Sequence, residues 1–243
     1  TISTQELITQ IANKKKSEKK LPTWFKTQNI VYPEKINLEQ TSSEVTAQYK
    51  SSIISGDSII DITGGFGVDC LYFAKKFKNV VHCELNTNLS TIVNNNYQQL
   101  KNDNISTHSG DGIKYLKSRN KIFDCIYIDP SRRDLSKNKV FLLKDCLPNV
   151  PENLELLFSK TEKILIKNSP ILDISQTIKE LKFVKEIHIV AIDNEVKELL
   201  FLLEKNYTKA IEVKTINFHK NKTQLFDFQY LKNKYSNYLN FCD

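Results

Sequence analysis

Short apolar runs alternate with helix-like stretches from residue 58 to residue 192, and this alternation is the strongest structural signal in the chain. Between the runs, apolar residues recur at the 3.6-residue spacing of an amphipathic helix. Such an alternation predicts an α/β fold with a doubly wound, mostly parallel sheet that is covered by helices on both faces. The predicted strands are Ser58–Ile62, Val80–Cys83, Asn104–His108, Cys125–Ile128, Lys163–Ile166 and Glu186–Ile192.

The pattern becomes less regular after Asp193. Leu199–Leu203 is an unbroken apolar run that fits either a helix or a returning strand. Ile211–Phe218 alternates like a strand, and we favour a hairpin at the edge of the sheet. Residues 227–243 carry several aromatic side chains without an evident packing partner, and we expect them to begin a truncated further domain.

The first fifty residues lack this alternation, and we expect a helical and extended appendage (1–50) ahead of the α/β domain (51–226). Residues 1–20 are polar and helix-like, whereas Pro22 and Pro33 favour an extended segment over residues 21–37. Thr41 and Glu44 have the spacing of a capping box, which predicts that a helix begins there.

Composition narrows the class of protein. The formal net charge is +7, with lysines concentrated near both ends, which favours a phosphate-rich partner over a merely solvated basic surface. No apolar run approaches the roughly 20 residues that span a membrane, and the first residues lack the features of a signal peptide. The five dispersed cysteines are typical of a cytoplasmic protein without disulfides. The absence of methionine favours a fragment of a longer chain.

Glycine is scarce, and five of the six glycines fall in two clusters. Gly64, Gly65 and Gly67 lie between a predicted strand and a predicted helix, and Gly110 and Gly112 flank Asp111. A strand, a glycine turn and a helix N-terminus together form a place to hold a nucleotide-like ligand.

Polar side chains follow successive predicted strands. They are Asp61 and Thr63, then Glu84, Asp111, the pair Asp129 and Pro130, and the segment that contains Lys167 and Ser169. Because open α/β sheets bind ligands at the carboxyl ends of their strands, this series predicts an elongated polar ligand across that edge.

The order of these groups over about residues 40–200 resembles the class I S-adenosylmethionine-dependent methyltransferases. The resemblance implies a seven-stranded, Rossmann-like sheet and S-adenosyl-L-methionine as the cofactor. It implies that the glycine turn approaches the methionine part, that Glu84 accepts from both ribose hydroxyls, and that Asp111 accepts from the adenine amino group. The implied cofactor-binding residues are Gln40, Thr41, Ser42, Asp61, Thr63, Gly64, Gly65, Phe66, Gly67, Asp69, Glu84, Leu85, Asp111, Gly112 and Asp129.

A nicotinamide-type Rossmann domain is the competing interpretation, since it also has a glycine turn and an acidic residue at the position of Glu84. The later Gly-Asp-Gly around Asp111 and the Ile-Asp-Pro around Asp129 favour the methyltransferase. No motif or histidine cluster indicates a metal site.

The fourth strand end narrows the reaction. Asp129 and the Pro130 carbonyl resemble the catalytic motif of amino-group methyltransferases, although the aromatic residue of that motif is missing. The fifth strand end has no cysteine nucleophile for C5 chemistry, which favours methylation of a nitrogen. Arg132, Arg133, Lys167 and Ser169 are candidate substrate-binding residues; the arginines could instead pair with Asp134 or Asp145, and Lys167 could be a solvated lysine.

Several segments also resemble a family of bacterial proteins, found in Bacteroidetes, that are classed as methyltransferases and carry a THUMP-like C-terminal domain. The segments include residues 37–44, 61–69, 129–133 and 169–174. The resemblance supplies no substrate, although a THUMP-like domain would imply RNA. With the basic charge and the motif at Asp129, we expect a methyltransferase that modifies a base nitrogen of rRNA or tRNA. The alternatives are a methyltransferase for a small molecule or protein, and a catalytically silent cofactor-binding module.

Overall fold

The computed structural model describes residues 3–132, 142–220 and 222–230. The chain forms two compact units: Thr1–Asp129 with Leu156–Glu162, and Pro130–Glu155 with Lys163–Asp243. The structured elements up to Ile128 are α1 (Thr4–Lys20), α2 (Pro22–Lys26), α3 (Lys35–Gln40), α4 (Glu44–Ser52), β1 (Ser58–Asp61), α5 (Val68–Phe73), β2 (Asn79–Glu84), α6 (Thr87–Gln99), β3 (Ile105–Ser109), α7 (Gly112–Lys117) and β4 (Cys125–Ile128).

The later elements begin with a short pair of strands and end with a run of four long strands. They are β5 (Ser131–Arg132), a 3-10 helix (Leu143–Asp145), β6 (Cys146–Leu147), α8 (Val150–Phe158), β7 (Lys163–Asn168), α9 (Ile174–Glu180), β8 (Val184–Ile192), β9 (Glu195–Glu204), β10 (Glu212–Phe218) and β11 (Thr223–Gln229). β11 therefore includes the first residues of the segment that we expected to be a tail.

The sheet of the first unit is entirely parallel, with the strand order β4-β1-β2-β3. In the central strand β1, Ile60 lies opposite Val81 of β2 and opposite Ile126 of β4. Ile60 and Ile126 are fully buried. Continuous apolar runs are what a parallel strand with two covered faces requires, and this explains why these strands were legible in the sequence.

The sheet of the second unit is mixed, with the strand order β11-β10-β8-β9-β7. β9 runs antiparallel to both β7 and β8, so Leu199–Leu203 belongs to a returning strand. β10 is parallel to β8, and β10 and β11 form the expected hairpin at the sheet edge.

The α/β class with a mostly parallel sheet is confirmed, but the expected number of strands, seven, is wrong. The two units contribute four and five sheet strands, nine in total. The hairpin accounts for the difference, because β10 pairs with β8 along its whole length and β11 then pairs with β10.

The N-terminal appendage contains more helix than expected. The predicted extended segment is wrong for Pro22–Lys26, which form α2. Pro22 occupies the first turn of this helix, where a proline costs no hydrogen bond and its fixed φ suits the helix. Residues 27–34 are not helical.

Side-chain amides satisfy the backbone of the non-helical part of the appendage. Gln10 of α1 donates to the Tyr32 carbonyl at 2.7 Å and accepts from the Tyr32 amide at 2.8 Å. Asn96 of α6 makes the same pair of bonds to Val31, at 2.8 and 2.9 Å. Residues 31 and 32 are thus held as a strand would be, without a neighbouring strand.

The start of α4 differs by two residues from the capping box that the sequence predicts. Ser43 is the N-cap, and its Oγ accepts from the Thr46 amide at 3.2 Å. Thr41 instead ends α3, where its amide donates to the Asn37 carbonyl. The carboxylate of Glu44 is used elsewhere, as described below, so it does not return to the N-cap.

Candidate functional site

The glycine turn connects β1 to α5 and has a left-handed backbone at two positions. φ is +54° at Gly65 and +80° at Gly67, which is the N-cap of α5. These values are accessible to glycine at little cost. The Gly64 amide donates to the Cys83 carbonyl of β2 at 2.8 Å, so the turn is fixed to the neighbouring strand.

The three glycines are required for different reasons. A Cβ at Gly64 would overlap the His82 imidazole, and a Cβ at Gly67 would overlap the Tyr97 hydroxyl. A Cβ at Gly65 would meet no atom closer than the Thr63 carbonyl oxygen at 3.9 Å. The protein therefore packs tightly behind Gly64 and Gly67, whereas a Cβ at Gly65 would make only an ordinary van der Waals contact.

His82 and Tyr97 support this turn, and sequence patterns did not assign them to the site. His82 Nε2 lies 3.2 Å from the Gly65 carbonyl oxygen, and the Tyr97 hydroxyl donates to the Gly67 carbonyl at 3.0 Å. Both side chains are buried. Burial lowers the pKa of His82 to about 4, so the ring is neutral at physiological pH. The signal in the sequence was a histidine inside an apolar strand, which is usual for a packed core residue.

Glu84 is placed at the turn by its own backbone contacts. Its Oε2 accepts from the Gly65 amide at 2.9 Å, and its Oε1 accepts from the Asn86 amide at 2.7 Å. A carboxylate oxygen has two lone pairs, so each oxygen keeps an acceptor site. The next residue, Leu85, is 74% exposed.

The third strand end joins the same region. The Gly110 amide donates to the Glu84 carbonyl at 2.8 Å. Asp111 is the N-cap of α7, where its Oδ1 accepts from the Ile113 and Lys114 amides at 2.8 and 3.2 Å. A Cβ at Gly112 would overlap Ile62, so the start of α7 lies against the residue that follows β1.

Asp61, Thr63 and Asp129 are linked by hydrogen bonds. Asp61 Oδ1 accepts from the Thr63 amide at 2.8 Å and from the Thr63 hydroxyl at 3.1 Å. The Asp129 amide donates to the same hydroxyl at 2.7 Å. Thr63 thus connects the ends of β1 and β4. The backbone of Asp129 therefore lies near the residue that precedes the glycine turn.

The carboxyl of Asp61 is protonated at neutral pH. Burial raises the pKa of Asp61 to about 8; the charges of Asp69 and Asp129 add to the rise, and the bonds from Thr63 oppose it. The end of β1 therefore presents the buried, neutral carboxyl of Asp61. The end of β4 presents the half-exposed side chain of Asp129.

Asp69 lies at the other end of the turn, in a buried network. Its Oδ2 accepts from the Ser42 hydroxyl at 2.9 Å and from the Tyr127 hydroxyl at 2.8 Å. Lys50 Nζ lies 3.1 Å from Asp69 Oδ1 and donates to Ser42 Oγ at 2.8 Å. Lys50 is completely buried. Ser42 and Asp69 contact each other in this network, which ties the segment before α4 to α5 and β4.

Glu44 forms a second buried connection to the appendage. Its Oε1 accepts from the Thr23 amide at 2.6 Å, and its Oε2 accepts from the hydroxyls of Thr23 and Tyr72 at 2.7 and 2.6 Å. Phe66 of the turn is also buried, with its ring 6.2 Å from Trp24 and 6.5 Å from Tyr32. The side chain of Phe66 thus packs against the appendage, while Gln40 is exposed and Thr41 half-buried.

The remaining candidate residues belong to the second unit. Pro130 follows Asp129 and is half-buried, and Arg132 lies in β5, opposite Cys146 of β6. Arg133 lies outside the described residues. Lys167 is half-buried near the end of β7, and the Ser169 hydroxyl accepts from the Ile171 amide at 3.5 Å.

Metal sites and membrane-spanning helices have no candidate among the described residues. Residues 3–132, 142–220 and 222–230 contain no group of three or more histidine, cysteine, aspartate or glutamate side chains that could hold a metal ion. Over the same ranges, each helix is too short or too polar to cross a membrane.

Known sequences resemble this chain over much of its length. A family model described as RNA cap guanine-N2 methyltransferase matches residues 56–239. A protein of Mycoplasma mobile described as an uncharacterized RNA methyltransferase is 30% identical over 149 residues, which are 59% of this chain and 40% of that protein. This chain therefore spans less than half the length of that relative.

Solved structures give the same result. The chain resembles a protein of Porphyromonas gingivalis W83 that is classed as a methyltransferase, with a TM-score of 0.82 and 31% identity over 92% of this chain and 57% of that chain. The methyltransferase subunit of a type I restriction-modification system from Streptococcus thermophilus shares the fold, with a TM-score of 0.50 and 15% identity over 73% of this chain and 47% of that one. The expected resemblance to methyltransferases, including those of Bacteroidetes, is confirmed.

Proposed function

Because the chain belongs to the RNA cap guanine-N2 methyltransferase family, we propose that it transfers a methyl group from S-adenosyl-L-methionine to a nitrogen of an RNA base in the cytoplasm. The observation that carries the proposal is the position of Glu84, whose carboxylate is held at the glycine turn by the Gly65 amide. An acidic residue at this place can accept from a ribose while the turn approaches the rest of the cofactor.

The residues at the turn fit this cofactor. The turn leaves room for a Cβ at Gly65, while His82 and Tyr97 pack against Gly64 and Gly67. Glu84 would accept from the ribose hydroxyls, Asp111 from the adenine amino group, and exposed Leu85 would offer an apolar surface to the adenine. The bound cofactor would supply a methyl group that its sulfonium already activates.

Catalysis would then depend on the position of the acceptor nitrogen. Asp129 would accept a hydrogen bond from the amino group of the base, aim the nitrogen lone pair at the methyl carbon, and take the proton that the nitrogen loses. The Pro130 carbonyl would accept from a second N–H. The Thr63 hydroxyl, which accepts from the Asp129 amide at 2.7 Å, would hold the backbone of Asp129 in place for this role.

The description of the family makes the exocyclic amino group of guanine the first candidate acceptor. A guanine inside a duplex of rRNA or tRNA must leave the stack before its amino group can reach such a site. Arg132, Arg133, Lys167 and Ser169 are the proposed contacts to the RNA, through phosphate or base oxygens.

Calorimetric titration with S-adenosylhomocysteine, with NAD as the control ligand, tests the cofactor. We expect binding of S-adenosylhomocysteine alone. Glu84→Ala should weaken this binding about ten-fold or more, since hydrogen bonds from two hydroxyls to a charged group are lost. Glu155→Ala, which removes an exposed carboxylate of α8, is the matched control. Binding of NAD in preference, or unchanged affinity in Glu84→Ala, would contradict the proposal.

Transfer of labelled methyl from S-adenosylmethionine to RNA, followed by analysis of the modified nucleoside, tests the reaction. We expect Asp129→Asn to lower the rate about 100-fold or more while S-adenosylhomocysteine still binds. Methylation that does not respond to added RNA would indicate a small-molecule or protein substrate. Cofactor binding without transfer to any of these would indicate a silent binding module.

A further inference from the structure

A groove of about 410 Å³ lies on the sheet of the second unit. Its apolar lining includes Ile189 and Ala191 of β8 and Phe226 of β11. Asn194, Asn217 and Gln224 line its polar side. The groove combines an open aromatic surface with a row of side-chain amides.

The strand registers place this groove at the edge of the sheet where the parallel strands end. Asn168, near the end of β7, lies opposite Leu199, and Leu199 lies opposite Ile189. Ile189 lies opposite Thr215, which lies opposite Phe226. One row thus runs from the end of β7 to Phe226 across four strand spacings, about 19 Å. Ligands of open α/β sheets bind beyond this edge.

Phe226 offers a flat surface to a ligand. Its side chain is 58% exposed although it belongs to a strand, and the Phe228 ring lies 5.7 Å away on the same strand. The two residues share a face because side chains alternate along a strand. Exposed aromatic rings on a sheet are the surfaces on which proteins stack single-stranded bases.

The amides beside this ring are oriented by one another. Asn217 Nδ2 donates to Asn194 Oδ1 at 2.7 Å and to Gln224 Oε1 at 3.1 Å. The Asn194 amide donates to Asn217 Oδ1 at 3.1 Å. Because Gln224 uses its oxygen in this chain of bonds, its amide nitrogen is the group that it can present to a base edge.

The charges at this end of the groove favour an anionic polymer. Lys220 and Lys222 lie in the connection between β10 and β11, where the His219 amide donates to the Lys222 carbonyl at 3.1 Å. Two carboxylates near this connection have a basic partner: Asp193 Oδ1 lies 3.3 Å from His219 Nδ1, and Glu195 pairs with Lys197. The lysines Lys197, Lys220 and Lys222 therefore outnumber Asp193 and Glu195.

We infer that this groove binds single-stranded RNA, with a base stacked on Phe226 and phosphates near Lys220 and Lys222. The inference rests on the proposed function, since it assigns a second contact to the RNA substrate. It names a binding surface that is separate from the cofactor residues, so each can be tested without the other.

The test is fluorescence anisotropy with a short, labelled, single-stranded RNA of mixed sequence. Phe226→Ala should weaken binding about ten-fold, which is typical of a lost stacking contact. Replacing Lys220 and Lys222 by glutamine should weaken binding and reduce its dependence on salt. Ile122→Ala is the control, because Ile122 is as exposed as Phe226 but lies in the first unit.

The outcomes separate this inference from the proposed function. Equal RNA binding by Phe226→Ala and the unchanged chain would overturn the groove alone. A dimer seen by light scattering that Phe226→Ala dissociates, with unchanged RNA affinity, would show that the face binds protein instead. If the unchanged chain binds S-adenosylhomocysteine but no RNA, both the groove and the RNA substrate are wrong, while the cofactor assignment stands.

Discussion

The two ends of the glycine turn each carry a buried aspartate, and the protein treats them in opposite ways. Asp69, at the start of α5, has the cation Lys50 at 3.1 Å and two hydroxyl donors, Ser42 and Tyr127. Asp61, at the end of β1, receives two bonds from Thr63 and one from the Cys70 thiol. In the part of the chain that the structure describes, Asp61 forms no ion pair.

The difference shows how one turn can contain two acidic residues. A buried carboxylate without a cation becomes protonated, because desolvation disfavours the charged form. A buried carboxylate beside a cation instead gains a coulombic partner. Asp69 therefore anchors the appendage electrostatically, whereas the burial of Asp61 raises its pKa to about 8 and leaves it a neutral hydrogen-bonding group beneath the site.

Removal of the cation is expected to have the largest effect. Lys50→Met leaves Asp69 buried without its cationic partner, and the free energy of unfolding should fall by about 3–5 kcal/mol. Denaturant unfolding of the purified chain measures this loss. The double variant Lys50→Met with Asp69→Asn should recover part of it, because no uncompensated charge is left. A loss below about 1 kcal/mol for Lys50→Met would show that the ion pair is not an anchor.

The stability of the folded chain should depend on pH through Asp61. Its pKa is about 8 in the folded chain against 3.8 for an ordinary aspartate, so the stability it provides is full below about pH 4 and is lost as the pH rises to about 8. Asp61→Asn avoids that loss. The stability of the variant relative to the unchanged chain should therefore increase by about 1–3 kcal/mol from pH 4 to pH 8.

The measurement is thermal or denaturant unfolding of both proteins across this pH range. His82, with a pKa of about 4, also makes the folded chain less stable as the pH falls. Because both proteins contain His82, this effect cancels in the difference between them. Asp57→Asn is a suitable control, since Asp57 is exposed and pairs with Lys78. A difference that does not change with pH would mean that Asp61 is charged like any exposed carboxylate.

Between the two aspartates, Gly65→Ala should have the smallest effect on folding. Alanine at φ +54° costs about 1–2 kcal/mol, and the added methyl group meets no close atom. Gly67→Ala should cost more, because its methyl group also overlaps Tyr97. The methyl group of Gly65→Ala would instead occupy part of the proposed cofactor site, so calorimetry should show weaker binding of S-adenosylhomocysteine. Equal unfolding losses for the two variants would contradict this distinction.

The sequence predicted the strands well wherever a strand is covered on both faces. The observed β4 has the bounds that the apolar run Cys125–Ile128 predicts, and β1, β2, β3, β7 and β8 differ by a few residues at most. Predictions were weaker where tertiary contacts supply the structure. Hydrogen bonds from the side chains of Gln10 and Asn96 hold residues 31–32, and no local sequence pattern predicts these bonds.

The site divides in the same way. The sequence by itself determined the glycine turn and the acidic strand ends, because φ preferences and parallel strand topology follow from residue type and order. Only the tertiary structure decided that His82 and Tyr97 pack behind the turn, that Lys50 pairs with Asp69, and that Asp61 is neutral. These properties depend on burial and on distances between residues far apart in the chain, and local sequence carries neither.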